Sequence, residues 1–103
     1  MEGVYTIQDQ NIGPPLRGTM TVTEASAGVF NWETGYSYLA FPDNDFWAKG
    51  VLVNDGGEWG LSMYSTSEPD AMPYEGLPVR VNFSNNTLSI TLDDGRAMIW
   101  RKR

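Results

Sequence analysis

Apolar and polar residues alternate along much of the chain, most clearly in its C-terminal third. The alternation is regular over residues 79–84 and 88–93, and a period of two places one face of a strand in a core and the other in water. Asn85-Asn86 and Asp94-Gly95 separate these runs from each other and from residues 96–101. Both dipeptides tolerate the positive φ of tight hairpin turns, so the pattern predicts a three-stranded antiparallel meander.

The upstream residues predict five or six further strands, with hairpin turns at Thr34-Gly35 and at 54–57. These strands are 4–8, 18–24, 29–33, 36–41, 50–53 and 58–64. Residues 10–17 and 65–78 contain prolines, which lack the N–H that a central strand needs, and are predicted to be loops. The second loop is long enough to be a lid, a rim or a binding loop.

Eight or nine short strands in 103 residues indicate one all-β domain spanning 1–103. Such strands pack as a sandwich or close as a barrel. Because the connections are mostly local hairpins, we expect a single small antiparallel up-and-down barrel, with a β-sandwich as the alternative. Methionines at 20, 63 and 98 and several aromatic residues are expected in its interior.

The first and last strands carry a pattern seen in one group of barrels. Gly3-Val4-Tyr5 opens the chain, and Arg96 and Arg101 lie in the last predicted strand. This resembles the calycins, the group of lipocalins, fatty-acid-binding proteins and avidins, which pack a basic side chain of the last strand across a Gly-x-aromatic of the first. The resemblance implies a barrel that binds a small apolar molecule or another protein. The small calycin-type inhibitors of secreted metalloproteases are of similar length but carry a disulfide, which a chain without cysteine cannot form, and a leader, which is not expected here.

Composition removes several classes of function. The chain has no histidine and no cysteine, which are the commonest general base, thiol nucleophile and transition-metal ligands. The net charge is −6, and residues 1–95 hold three basic against thirteen acidic residues, a net charge of −10, so nucleic acid is not an expected partner. No apolar run approaches the roughly 20 residues of a membrane span, and no signal-peptide pattern opens the chain, so a cytoplasmic protein without a membrane partner is expected.

Aromatic residues among acids mark the candidate site. Residues 41–47 are predicted to form a turn in which Asp43 and Asp45 are surrounded by rings, and strand 36–41 is apolar on both faces. The candidate binding residues are Tyr36, Tyr38, Phe41, Asp43, Asp45, Phe46, Trp47 and Tyr74. Aspartates of this kind are ordinary turn formers and do not match the spacing of a calcium loop, so neither a metal nor another cofactor is predicted.

The composition allows one enzyme chemistry, a carboxylate-based hydrolase using Glu33, Glu58 or Asp45, but it marks no catalytic residue. The preferred hypothesis is therefore a non-enzymatic protein-binding or inhibitory module that presents aromatic anchors on an acidic surface to a basic partner. The alternatives are a barrel that binds a small hydrophobic ligand and a subunit of a homo-oligomer.

Overall fold

In the computed structural model, eight antiparallel strands close into a barrel in which each strand pairs with its neighbours in sequence and the last pairs with the first. The structure describes residues 1–10, 16–65 and 74–103, without the side chains of 8–10, 16, 38, 41–46, 64, 65 and 74–76. The strands are β1 (Gly3–Gln10), β2 (Leu16–Ser26), β3 (Val29–Tyr38), β4 (Phe41–Asp55), β5 (Glu58–Ser65), β6 (Tyr74–Ser84), β7 (Thr87–Leu92) and β8 (Ala97–Lys102). The predicted all-β up-and-down barrel is confirmed, and the sandwich is not formed.

The predicted C-terminal meander is confirmed. Asn85 and Asn86 adopt φ of 51° and 60°, and Gly95 adopts 88°, so the turn residues take the left-handed backbone conformation expected of them. Val79 pairs with Leu92 and Leu88 pairs with Trp100, which places the apolar sides of β6, β7 and β8 together.

Alternate side chains of the strands point into the barrel and form one core. Tyr5, Leu52 and Leu88 are its largest fully buried members. Met20 is also buried, and Met63 and Met98 pack against the core, as their alternation predicts. Because side chains from all eight strands meet here, the core ties β1 to β8 and stabilises closure.

Two predicted turns are wrong. Thr34-Gly35 lies inside β3, where Gly35 pairs with Thr19 on one side and Trp47 on the other. Thr34 is buried, and its hydroxyl donates a hydrogen bond of 2.7 Å to the carbonyl oxygen of Thr19. Residues 41–47 likewise belong to β4, and the turn between β3 and β4 is Leu39-Ala40. Pairing with a strand on each side outweighs the local turn preference at Gly35, and within 41–47 Phe41, Phe46 and Trp47 pair with β3.

The predicted loop 65–78 is also shorter than expected. Strand β6 begins at Tyr74, and Pro78 pairs with Gly60 of β5. Pairing of β6 with β7 starts only at Val79, so Pro78 has a strand neighbour on one side. A proline is tolerated there because one side of the strand requires no N–H donor. Residues 66–73 and 11–15 lie outside the described residues.

Closure of the barrel brings a basic side chain of β8 onto β1, but it is Lys102 and neither of the predicted arginines. A Cβ added to Gly3 would lie 2.5 Å from Cε of Lys102. Arg101 is exposed, and Arg96 lies in the β7–β8 turn, where its Nε is 2.7 Å from Oδ2 of Asp94. Lys102 rather than Arg101 reaches Gly3 because consecutive residues of a strand face opposite sides of the sheet.

Candidate functional site

The structure places five of the six predicted aromatic residues on one hairpin. In the register of β3 and β4, Gly35 lies opposite Trp47, Tyr36 opposite Phe46 and Tyr38 opposite Phe41. Tyr74 begins β6 at the same end of the barrel, because alternate connections of an up-and-down barrel share an end. The backbone therefore gathers the six aromatic positions at one end of the molecule.

Two of the predicted residues, Tyr36 and Trp47, have described side chains, and these differ in exposure. Tyr36 is half-buried and packs against the core, whereas the side chain of Trp47 is on the outside with 41% of its surface exposed. The side chains of Tyr38, Phe41, Asp43, Asp45, Phe46 and Tyr74 lie outside the described residues. Trp47 is thus the predicted residue for which an exposed ring is observed.

Trp47 borders a groove on the outer face of β2, β3 and β4, which we call the outer groove. Its volume is about 410 Å³, and its lining residues are Thr19, Thr21, Glu33, Thr34, Gly35, Trp47 and Lys49. Two cross-strand rows build it: Thr19, Gly35 and Trp47 are paired in one, and Thr21, Glu33 and Lys49 in the next.

Gly35 gives the groove its depth. A Cβ built on this glycine would meet no atom within 4 Å, so the backbone of β3 forms an open floor between Thr19 and Trp47. Any larger residue would fill this space with a side chain, since the outward position of a strand projects away from the sheet. An approaching chain can therefore lie beside the indole and reach the backbone.

Charged groups support the indole from one side. The Lys49 ammonium is 5.6 Å from the Trp47 ring centroid, within the range of a cation–π interaction worth about 0.5–1 kcal/mol at exposed sites. Glu33 lies directly opposite Lys49 in the ladder, an arrangement of opposite charges that favours the pairing of β3 with β4. These contacts restrict the ring before anything binds, which lowers the entropy lost on binding.

Inside the barrel, the packing around Gly50 is tight. A Cβ added to Gly50 would overlap the carbonyl oxygen of Ser62 and lie 2.8 Å from Cζ2 of Trp32. The indole N–H groups of Trp32 and Trp100 are buried and have no acceptor among the described residues. Burial also raises the pKa of Tyr5, whose hydroxyl donates a hydrogen bond to the carbonyl oxygen of Met1.

Of the carboxylates proposed for a hydrolase, Glu33 and Glu58 are not brought together, and the side chain of Asp45 lies outside the described residues. Glu33 pairs with Lys49 of β4, and Glu58 pairs with Asp55 of β4. Asp55 lies six residues after Lys49 on that strand. That separation is about 20 Å, whereas glycosidase carboxylates lie about 5–9.5 Å apart. Among the described residues, no group of three or more acids could hold a metal ion, and no helix is long and apolar enough to cross a membrane.

Several residues of the outer groove were not predicted from the sequence. Gly35 was assigned to a turn and Lys49 resembles a solvated charge beside a strand end. Thr19 and Thr21 are recognisable as the polar side of β2, but the strands that lie beside them depend on the barrel register. No protein-family model, curated protein or solved structure matches this chain, so no relative supplies a family or a function.

Proposed function

We propose that this protein is a non-enzymatic binding module that holds a partner protein on the outer face of β2, β3 and β4. It either binds the partner without altering its activity or inhibits it. The observation that carries the proposal is Trp47, a large exposed indole beside the open floor at Gly35. Tryptophan is among the residues that contribute most to protein interfaces, because it buries a large area with few rotatable bonds.

The character of the groove supports a protein partner. Hydroxyl, carboxylate and ammonium groups surround one aromatic ring, which is the mixture of apolar anchor and polar rim found in interfaces. The net charge of −6 would attract a partner of net positive charge and speed its approach.

Membership of the calycin group is part of this proposal. A glycine and a buried tyrosine at positions 3 and 5 of β1, covered by Lys102 from β8, match the arrangement that the resemblance implies. The closed barrel of eight antiparallel strands is compatible with it. On this view the outer face has taken over the binding role that other calycins assign to the barrel interior.

The experiment compares two variants of the same strand. Trp47→Ala removes the anchor, and Val53→Ala removes an exposed apolar side chain on the same face of β4, six residues away and outside the groove. The protein is immobilised, captured chains are identified from a lysate of its source, and the affinity of the purified partner is measured for each variant. We expect Trp47→Ala to weaken binding at least about 30-fold and Val53→Ala to leave it unchanged.

Two outcomes would change the conclusion. Equal affinity of the partner for Trp47→Ala and the unmodified protein would refute the proposed site. A mass that is a multiple of 11.5 kDa in size-exclusion chromatography with light scattering, and that falls to the monomer in Trp47→Ala, would identify the partner as a second copy of this chain.

A second candidate function rests on the buried indoles. An N–H group buried without an acceptor costs about 1–3 kcal/mol, so Trp32 and Trp100 favour a guest in the barrel that is largely apolar and carries an acceptor atom. Native mass spectrometry of protein purified without denaturation tests it. An added small mass that disappears after organic extraction supports this candidate, and the bare chain mass contradicts it.

A further inference from the structure

Strands β1 and β2 separate at the end of the barrel that holds the β3–β4 turn. Pairing of the two strands stops at Thr6 and Thr19. Beyond that point, residues 7–10 of β1 pair only with β8, and residues 16–18 of β2 pair only with β3. Over these described residues, two strand edges therefore face each other without a ladder between them.

An open surface hollow of about 390 Å³ occupies this division. Thr6, Thr19 and Ser37 contribute hydroxyl groups to its lining, and Gly18 and Gly35 leave its floor without side chains. It shares Thr19 and Gly35 with the outer groove, so the two form one continuous depression around β3.

One basic side chain is described at the hollow. Arg17 lines it and is exposed, whereas the side chain of Asp9, on the adjoining edge of β1, lies outside the described residues. Arg17 is one of only three basic residues in the first 95. Because exposed charges are screened beyond about 8 Å at physiological salt, a bound group responds to Arg17 more than to the net charge of the chain.

We propose that this hollow receives an extended segment of the partner protein and that a carboxylate side chain of this segment pairs with Arg17. A guanidinium holds a carboxylate through two parallel hydrogen bonds, and hydroxyl groups can donate to the same anion. An extended segment can add to a free strand edge through main-chain hydrogen bonds. The inference rests on the proposed function, since it names the chemistry of the partner at the same surface.

The test uses two capped pentapeptides that alternate threonine with glutamate or threonine with glutamine. Each is titrated into the ¹⁵N-labelled full chain, and amide chemical shifts are followed. We expect the glutamate peptide to shift the amides of Arg17, Gly18, Thr19 and Gly35, and to bind about fivefold or more tightly than the glutamine peptide. Equal binding of the two peptides, or shifts confined to other residues, would overturn the inference without any variant.

A pair of variants tests the role of Arg17 itself. Arg17→Gln should reduce the affinity for the glutamate peptide to that for the glutamine peptide, whereas Arg80→Gln should not, because Arg80 is an exposed residue of β6 opposite Thr91. A glutamate peptide that binds Arg17→Gln and the unmodified chain equally would contradict the inference.

The two proposals can fail separately. A partner that depends on Trp47 but binds Arg17→Gln at full strength, with no peptide shifts at the hollow, overturns only the carboxylate inference. Peptide binding at Arg17 together with a partner that is indifferent to Trp47→Ala overturns only the proposed function.

Discussion

Replacing Gly50 by alanine would test the close packing between the barrel wall and its core. Gly50 pairs with Trp32 of β3 and Met63 of β5, and its missing side chain would point inward. A Cβ at this position would overlap the carbonyl oxygen of Ser62 and lie 2.8 Å from Cζ2 of Trp32. The Ser62 oxygen belongs to β5, so it cannot move away without disturbing the pairing of β4 with β5.

The expected destabilisation is the difference between two effects. Overpacking a core costs about 1–3 kcal/mol, and an overlap with a backbone atom places Gly50→Ala near the upper end of that range. Replacing glycine by alanine returns about 0.4–1 kcal/mol by restricting the unfolded chain. The net loss in the free energy of unfolding is about 2 kcal/mol. At roughly 4–8 °C per kcal/mol for a domain of this size, the Tm should fall by roughly 8–16 °C.

Gly60→Ala is the matched control, because Gly60 lies on the adjacent strand and a Cβ there would meet no atom within 4 Å. Its Tm should equal that of the unmodified protein or exceed it by a few degrees. Thermal unfolding followed by far-UV circular dichroism and urea unfolding followed by tryptophan fluorescence measure both variants. Gly50→Ala melting at or above the temperature of Gly60→Ala would refute the packing argument.

Two further predictions concern the core and one turn. Leu88→Ala should lower the free energy of unfolding by about 2–5 kcal/mol in urea titrations, since Leu88 is fully buried. Leu39→Ala is the control and should change it little, because the Leu39 side chain is 55% exposed. Equal effects of the two substitutions would contradict the described core. The Arg96 backbone N–H, 3.0 Å from Oδ1 of Asp94, and then the Arg96 side chain hold the pKa of Asp94 below its usual range. A carboxyl group whose pKa is depressed in the folded state stabilises that state at pH values above its unfolded pKa. This stabilisation is lost as the pH falls through the depressed pKa. Asp94→Ala should therefore lower the Tm at neutral pH, and its Tm difference from the unmodified protein should vanish at strongly acidic pH. Asp93→Ala serves as the control. A Tm difference that does not depend on pH would refute the link to the Asp94 carboxylate.

The C-terminal meander was predictable because its information is local. Strict alternation over β6 and β7 allows one buried face, and asparagine pairs accept positive φ where few residues do. The burial of Leu88 and Ile90 follows from the same alternation. For these strands, neighbouring residues were enough to specify both conformation and orientation.

The turn predicted at Thr34-Gly35 failed because its local preference competed with distant partners. Thr19 and Trp47 flank Gly35 in the sheet and lie in different strands. Once β2 and β4 are in place, an extended Gly35 completes two ladders, which stabilises the chain more than a turn would. Within residues 41–47, which were predicted to be a turn, pairing of Phe41, Phe46 and Trp47 with β3 likewise favours the extended conformation of β4.

The sequence named Trp47 as a candidate binding residue, because an aromatic among acids suggests a contact surface. Its ring is exposed, and its role in binding stays a prediction. The groove beside it and the hollow at Arg17 could not be found in the sequence. Both depend on which strands lie side by side and on where the pairing of β1 with β2 stops.

The sequence by itself determined the all-β class, the three C-terminal strands with their inward and outward sides, and the acidic character of the chain, since these depend on residue type and on a period of two. Only the tertiary structure decided that Lys102 rather than Arg101 covers Gly3, that Gly35 is a floor rather than a turn, and that Trp47 stands beside a groove. The physical reason is register: a shift of one residue between paired strands reverses every side chain, and closure of the barrel selects one register for all eight strands together.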